Sequence, residues 1–396
     1  MESKLIITRQ GERIITALLE DGKICEFRCD NENAHSQLGN IYVGRVKNIV
    51  KNIQVAFIEI ANGVSCYYPL EDCEQPHYTK KINSPKLVAG DELLVQVCKE
   101  SNKTKPPTVT ANLNFTGKYL VLTTGKCHLG LSGKLNPADK KRLKKLILPL
   151  CTPEFGFIVR TNASDATEED LRNEARTLIE TCQKLIQKAG FSSCFSLMYQ
   201  NTPPWVNVLK DMYSTSFTAV ITDDDTLYAQ IKAYLTEYQP EDLHRLHFYE
   251  DKLLPLTKLY HIEKELSDAL RERVWLKSGA YLVIQPTEAL TVFDVNTGKY
   301  EGKKKQQDTF LKINLEAAEE IARQLRLRNI SGIIVIDFIN LKTPEYREEL
   351  MRKLEVFLKK DPIKTVLVDI TPLDLVEITR KKIRKPLIEQ MSGEIR

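Results

Sequence analysis

The sequence predicts a multidomain α/β protein with an all-β module inserted in it. Two apolar runs each end on an aspartate, Leu290-Thr-Val-Phe-Asp294-Val-Asn296 and Gly332-Ile-Ile-Val-Ile-Asp337-Phe-Ile-Asn340. A helix-like stretch lies between them, which gives the strand–helix–strand order of an α/β layer. Residues 38–120 instead alternate apolar and polar positions in short runs broken by turn signals, the pattern of a small closed barrel. The length of 396 residues suits about two to three domains.

Along the chain, Lys4–Thr8, Arg13–Leu19 and Lys23–Phe27 read as strands, the last two joined by the hairpin dipeptide Asp21-Gly22. The barrel strands are Ile41–Val50, Gln54–Ile60, Val64–Leu70, Glu92–Val97 and Thr108–Leu113, with Asn62-Gly63 as a turn and Gly44 inside a strand. Glu71–Val88, with Pro76 and Pro85, reads as a long connecting loop. Tyr119–Thr123 and Phe157–Arg160 follow as strands. Asp139–Leu148 reads as a basic helix, and a long helix opens at Ser164, its expected cap, and runs through Lys188. Further on, Ala219–Thr222 is a strand, and Thr226–Leu235 and Ile262–Arg271 are helices. Strands Tyr281–Gln285 and Ala289–Val295 precede a Gly/Lys-rich loop. Helix Leu311–Leu327 carries a 3.6-residue stripe of Leu315, Ala318, Ile321, Ala322 and Leu325. Strand Gly332–Phe338, helix Pro344–Leu358 and strand Thr365–Ile370 complete the layer.

Composition excludes some classes. The apolar fraction of 42% and charged fraction of 28% are those of an ordinary globular chain. No apolar run reaches the roughly 18 residues of a membrane span, and the N-terminus has no export pattern, so a cytoplasmic protein without a membrane partner is expected. Nine cysteines, Cys25, Cys29, Cys66, Cys73, Cys98, Cys127, Cys151, Cys182 and Cys194, form no C-x-x-C pair. They read as reduced core thiols, since Cys25 and Cys29 have no second pair with which to hold zinc. The net charge of +4 says little by itself. Basic clusters at Lys299–Lys305, Lys140–Lys145 and Arg380–Lys385 are either solvated faces or phosphate contacts.

The chemistry is sharpest at the two strand ends. A carboxylate leaving water at the end of a buried strand is unfavourable without a partner, and two such groups separated by one helix can share a hard cation. Magnesium takes oxygen ligands and keeps several waters, so Asp294 and Asp337 suffice for it. Asn296, two positions after Asp294, points to the same face of a strand. Such a site generates hydroxide and neutralises charge on a phosphate. Each aspartate taken singly reads as a strand or helix cap, and Asp369 is read as structural.

The segments Thr287–Lys299, Asn314–Arg328 and Gly332–Ile339 together resemble the catalytic core of the ribonuclease E/G family, nearer its G branch, and the likeness extends over nearly the whole chain. The resemblance implies an RNase H-like and DNase I-like catalytic core with an inserted OB-fold barrel of the S-one type and a 5′-sensor region. Its expected divisions are 1–36 and 205–279 (RNase H-like), 37–118 (barrel), 119–204 (5′ sensor) and 280–396 (DNase I-like). It implies a magnesium-dependent endoribonuclease that cuts single-stranded RNA to 5′-phosphate and 3′-hydroxyl ends in ribosomal RNA maturation and messenger RNA decay. Asp294 and Asp337 fall on the family's metal-binding aspartates, and Asn296 on its catalytic-site asparagine. Phe57, Tyr67 and Lys105 match its RNA-binding positions on the barrel, although Phe57 read alone is a core residue of an apolar run. Gly117, Val121, Arg160 and Thr161 match the positions that grip a 5′-monophosphate.

Three departures stand beside the match. Gly130-Leu-Ser132 runs into Gly133-Lys134 where the family often has an arginine, which weakens the expected end sensing. Asn340 stands where the family often has an acid, which lowers the expected metal affinity. No cysteine follows Cys194, so the family's zinc-linking C-terminal pair is absent from this chain: either the chain is cut short or a homodimer forms without zinc. A non-catalytic RNA-binding protein and a DNA-directed magnesium phosphoesterase are the alternative readings.

Overall fold

The computed structural model describes residues 2–31, 37–71, 75–82, 84–99, 106–125, 128–211, 217–298 and 306–392. The chain divides into two compact units, residues 1–34 with 215–396, and residues 35–214. Both are mixed assemblies of sheet and helix. Lys105 and the basic stretch 299–305 lie outside the described residues.

In the first unit the N-terminal strands are longer than expected, Ser3–Gln10, Arg13–Glu20 and Lys23–Asn31. Asp21 and Gly22 both have positive φ, 47° and 78°, as a tight two-residue hairpin requires. Ser3–Gln10 also pairs in parallel with Phe217–Thr222, and Leu246–Phe248 completes a five-stranded sheet. A six-stranded sheet follows, ordered Arg273–Trp275, Tyr281–Pro286, Leu290–Asn296, Gly332–Asp337, Leu375–Arg380 and Thr365–Ile370. One face buries Leu282, Ile284, Phe293, Val295, Ile334, Ile336, Val376 and Ile378 in a core shared with the helices Gln306–Leu327 and Pro344–Leu358. The alternate residues point to the other face.

Helix Gln306–Leu327 also reaches the five-stranded sheet. Arg323 donates to the Ile24 carbonyl at 2.9 Å and Arg326 to Glu20 at 2.6 Å. The basic cluster Arg380–Lys385 is partly internal. Arg380 is buried, donating to Asp361 at 2.7 Å and to the Asn329 side chain at 2.9 Å, and Arg384 pairs with Glu26. These arginines are therefore not a solvated or RNA-facing patch, because buried carboxylates take their charge.

In the second unit the strands Ile41–Val50, Val55–Ala61, Val64–Pro69, Thr108–Thr110 and Glu92–Lys99 pair in succession, and Ile41–Val50 returns to Glu92–Lys99 to close a five-stranded barrel. Gly44 faces its interior, where a β-carbon would lie 2.6 Å from Ile58 and 2.9 Å from Val95. The long connection is not wholly irregular: Tyr78–Lys80 adds a short strand beside Glu92–Lys99. A four-stranded sheet of Asn114–Thr116, Leu120–Thr123, Gly156–Val159 and Leu129–Leu131 packs with the helices Pro137–Ile147 and Glu168–Ala189. The long helix starts at Glu168, with Thr167 and Asp170 forming a capping box. Ser164 instead ends a short 3-10 turn.

Cys25, Cys29, Cys66 and Cys182 are buried as core thiols, but Cys98 is exposed. Burial pushes the Cys29 thiol up to about 12, which makes it unreactive. Among the described residues no helix is long and apolar enough to cross a membrane.

Candidate functional site

The Leu290–Asn296 and Gly332–Asp337 strands are parallel neighbours, and their register sets Asp294 directly beside Asp337. Cross-strand partners share a face. Both carboxylates therefore leave the sheet on the side away from the helix core. Asn296 donates its Nδ2 to Asp294 Oδ2 at 2.7 Å, which holds that carboxylate in one orientation. Partial burial, and then the neighbouring Asp294 charge, push the Asp337 carboxyl above its ordinary range. The Asp294 charge thus makes ionisation of Asp337 costlier, a penalty that a shared divalent cation would relieve. Among the described residues no group of three or more His, Cys, Asp and Glu collects anywhere. Two adjacent carboxylates suit an ion that keeps much of its water. Asp369 accepts the neighbouring Ile370 amide on its Oδ1 at 2.8 Å.

The loops that follow the two strands are fixed from behind. Asn314 is fully buried in the helix between them. It donates to the Ile339 carbonyl at 2.7 Å and accepts from the Ile339 amide at 3.1 Å. Both polar groups of a residue two positions past Asp337 are so satisfied by one side chain. After Asn296 the chain turns at Gly298, with φ at +60° and a β-carbon position only 2.2 Å from the Gly279 carbonyl oxygen. No other residue fits that approach. Sequence reasoning assigned neither residue a role, although both lie in the quoted segments. An isolated polar residue at a core helical position and a glycine just past a strand were the available signals.

The chain is similar to known proteins along its whole length. The model of the Ribonuclease E/G family matches residues 114–383. The Ribonuclease G of Salmonella typhimurium (strain SL1344) is 33% identical over all of this chain and 83% of its own length. The chain belongs to the ribonuclease E/G family. The Ribonuclease G of Haemophilus influenzae is also 33% identical, over all of this chain and 82% of its own length. The Ribonuclease E of Nostoc sp. is 32% identical over 96% of this chain but only 56% of its own length.

The remaining positions singled out by the family likeness lie in the second unit. Phe57 and Tyr67 are cross-strand partners on the barrel, their rings edge to face with centroids 6.4 Å apart. Both are half-buried, while Ala56, Ile58 and Ile60 point inward. Phe57 is thus not a core residue, because the strand's alternation turns it outward. Just past the strand Gly156–Val159, Arg160 donates to the Gly117 carbonyl at 2.7 Å and to the Lys210 carbonyl at 3.1 Å. Thr161 and Ser132 share a hydroxyl–hydroxyl bond of 2.8 Å. Val121 lies opposite Ile158 and Thr116. Glu174, which sequence reasoning passed over, accepts from the amides of Lys118, Tyr119 and Leu120 at 2.5–2.9 Å. Burial raises its carboxyl's proton affinity, against the pull of those amides and of Arg160. A β-carbon at Gly117 would meet this carboxylate at 2.6 Å, so the loop from Gly117 to Leu120 is held by Glu174 and Arg160 together.

Proposed function

We propose that this protein is a magnesium-dependent endoribonuclease that cuts single-stranded RNA to 5′-phosphate and 3′-hydroxyl ends, acting in the cytoplasm in ribosomal RNA maturation and messenger RNA decay. The observation that carries the reading is the placement of Asp294 beside Asp337 on adjacent parallel strands with Asn296 bonded to the first.

Asp294 and Asp337 would hold the cation, and their mutual charge is what it relieves. A bound magnesium ion lowers the pKa of water on it and neutralises charge building on the phosphate. Asn296 keeps the Asp294 carboxylate turned and presents its amide toward the phosphodiester. Asn340, a neutral neighbour after the second strand, adds no charge to the set. Barrel residues Phe57 and Tyr67 offer aromatic surface for base stacking, with Lys105 for phosphate. Arg160 and Thr161, with Gly117 and Val121, supply a guanidinium fork and a hydroxyl for a 5′-phosphate. That region is read as the 5′ sensor, the barrel as S-one-type, and the five- and six-stranded sheets as the RNase H-like and DNase I-like parts.

A short unpaired RNA incubated with magnesium, with and without EDTA, tests the reading. Cleavage that stops on chelation, and whose products carry 5′-phosphates, supports it. Binding without cutting would replace it with a non-catalytic RNA-binding role. Equal cutting of the DNA version would remove the RNA assignment.

A further inference from the structure

A second constellation stands on the same face of the six-stranded sheet. Strand Arg273–Trp275 is its edge, paired so that Trp275 opposes Tyr281 and Arg273 opposes Val283. Tyr281 in turn opposes Asn296, and Val283 opposes Asp294. Arg273, Val283, Asp294 and Asp337 therefore form one row across the sheet, and Trp275, Tyr281 and Asn296 form the next. The Trp275 and Tyr281 rings lie 5.1 Å apart, tilted at 56°. The Arg273 guanidinium sits 4.6 Å from the Tyr281 ring centroid and 5.9 Å from that of Trp275. Trp275 is nonetheless 63% exposed.

We propose that Trp275, Tyr281 and Arg273 form a stacking platform for a base of the RNA next to the cleaved phosphodiester. The proposal rests on cleavage occurring at Asp294 and Asp337. A large aromatic left in water beside an active face costs hydrophobic free energy, and a base stacked on it recovers that cost. Strands lie about 4.8 Å apart, so Tyr281 begins one strand from Asn296 and Trp275 two. That is within reach of the base on the cleaved phosphate or its neighbour. The occupant is a nucleic-acid base rather than an apolar protein segment, because Arg273 brings a cation to the platform that suits phosphate and stacks on π faces. Every base has such a face, so the platform positions the strand without selecting its sequence.

The test uses the full chain carrying Asp294→Asn and Asp337→Asn, so that RNA is bound and not cut. The probe is a short unpaired RNA whose cleaved bond has been mapped with the unmodified enzyme, made with an abasic nucleotide at each position in turn. At one position next to that bond the abasic change should weaken binding about tenfold. Trp275→Ala should cause the same loss with intact RNA and little more with that abasic RNA, and Trp275→Phe should restore most of the affinity. RNA should also change tryptophan emission chiefly through Trp275, since Trp205, the other of the two tryptophans, is 6% exposed. Unchanged binding by Trp275→Ala, or losses that multiply with every abasic site, would overturn the platform. Cleavage by the enzyme with intact tryptophan separates the two readings: metal-dependent cutting lost in the double aspartate variant, with Trp275→Ala silent, removes the platform alone.

Discussion

Glu26 offers a quantitative check on how the first unit, residues 1–34 with 215–396, is held together. It is nearly buried on strand Lys23–Asn31, where Arg28 donates to it at 2.7 Å and Arg384 at 2.6 Å. Burial alone would raise its carboxyl, but the two guanidinium groups overcome it and bring the group from 4.5 to about 2. At 1.36 kcal/mol per tenfold change in proton affinity, the folded state gains about 3 kcal/mol from this group at neutral pH. The depressed value fixes the sign. The stability is fully present above about pH 4.5 and is lost as pH falls toward about 2, with about 2 kcal/mol gone by about pH 3. Urea unfolding of a Trp205→Phe background reads it, because Trp275 then remains as a reporter within the same unit. Glu26→Gln should be less stable than its parent at neutral pH, and the gap should narrow by about 2 kcal/mol near pH 3. A gap of constant size across that window would refute the reasoning.

Two further substitutions address the sites. Gly298→Ala places a β-carbon on the Gly279 carbonyl in a left-handed backbone; it should cost about 1–2 kcal/mol of stability and slow RNA cleavage by displacing Asn296, and a variant that cuts at the parent rate would contradict this. Arg160→Ala should slow cleavage of 5′-monophosphorylated RNA more than of 5′-hydroxyl RNA, measured as kcat/KM on matched oligonucleotides; equal slowing would remove the sensor role.

The strands that carry the two aspartates were legible because each is an apolar run of strand length ending on an acid, with a striped helix between. Their residue-to-residue register was not. Sequence puts both acids near one sheet edge, whereas the pairing of Asp294 with Asp337 depends on how the connecting helix packs. The Asp21-Gly22 turn was legible because few other dipeptides accept two positive φ values. The long helix starts later than Ser164 suggests. Ser164 and Thr167 are both competent caps, and the Thr167–Asp170 reciprocal bonds decide between them. Phe57 reads as core because its neighbours are apolar on both sides, and only the closed barrel distinguishes its faces. Arg380 and Arg384 look like a basic surface patch until their carboxylates, Asp361 and Glu26, are seen to arrive from distant segments. Trp275 and Tyr281 gain meaning only from the hairpin that pairs them.

On the proposed function, Asp294 and Asp337 together hold the metal at which RNA is hydrolysed. The most direct measurement is cleavage of a short unpaired RNA in magnesium by the Asp294→Asn, Asp337→Asn double variant, with affinity for the same RNA measured alongside. Cutting should be abolished while binding stays near that of the parent. Cutting at the parent rate by the double variant would contradict it.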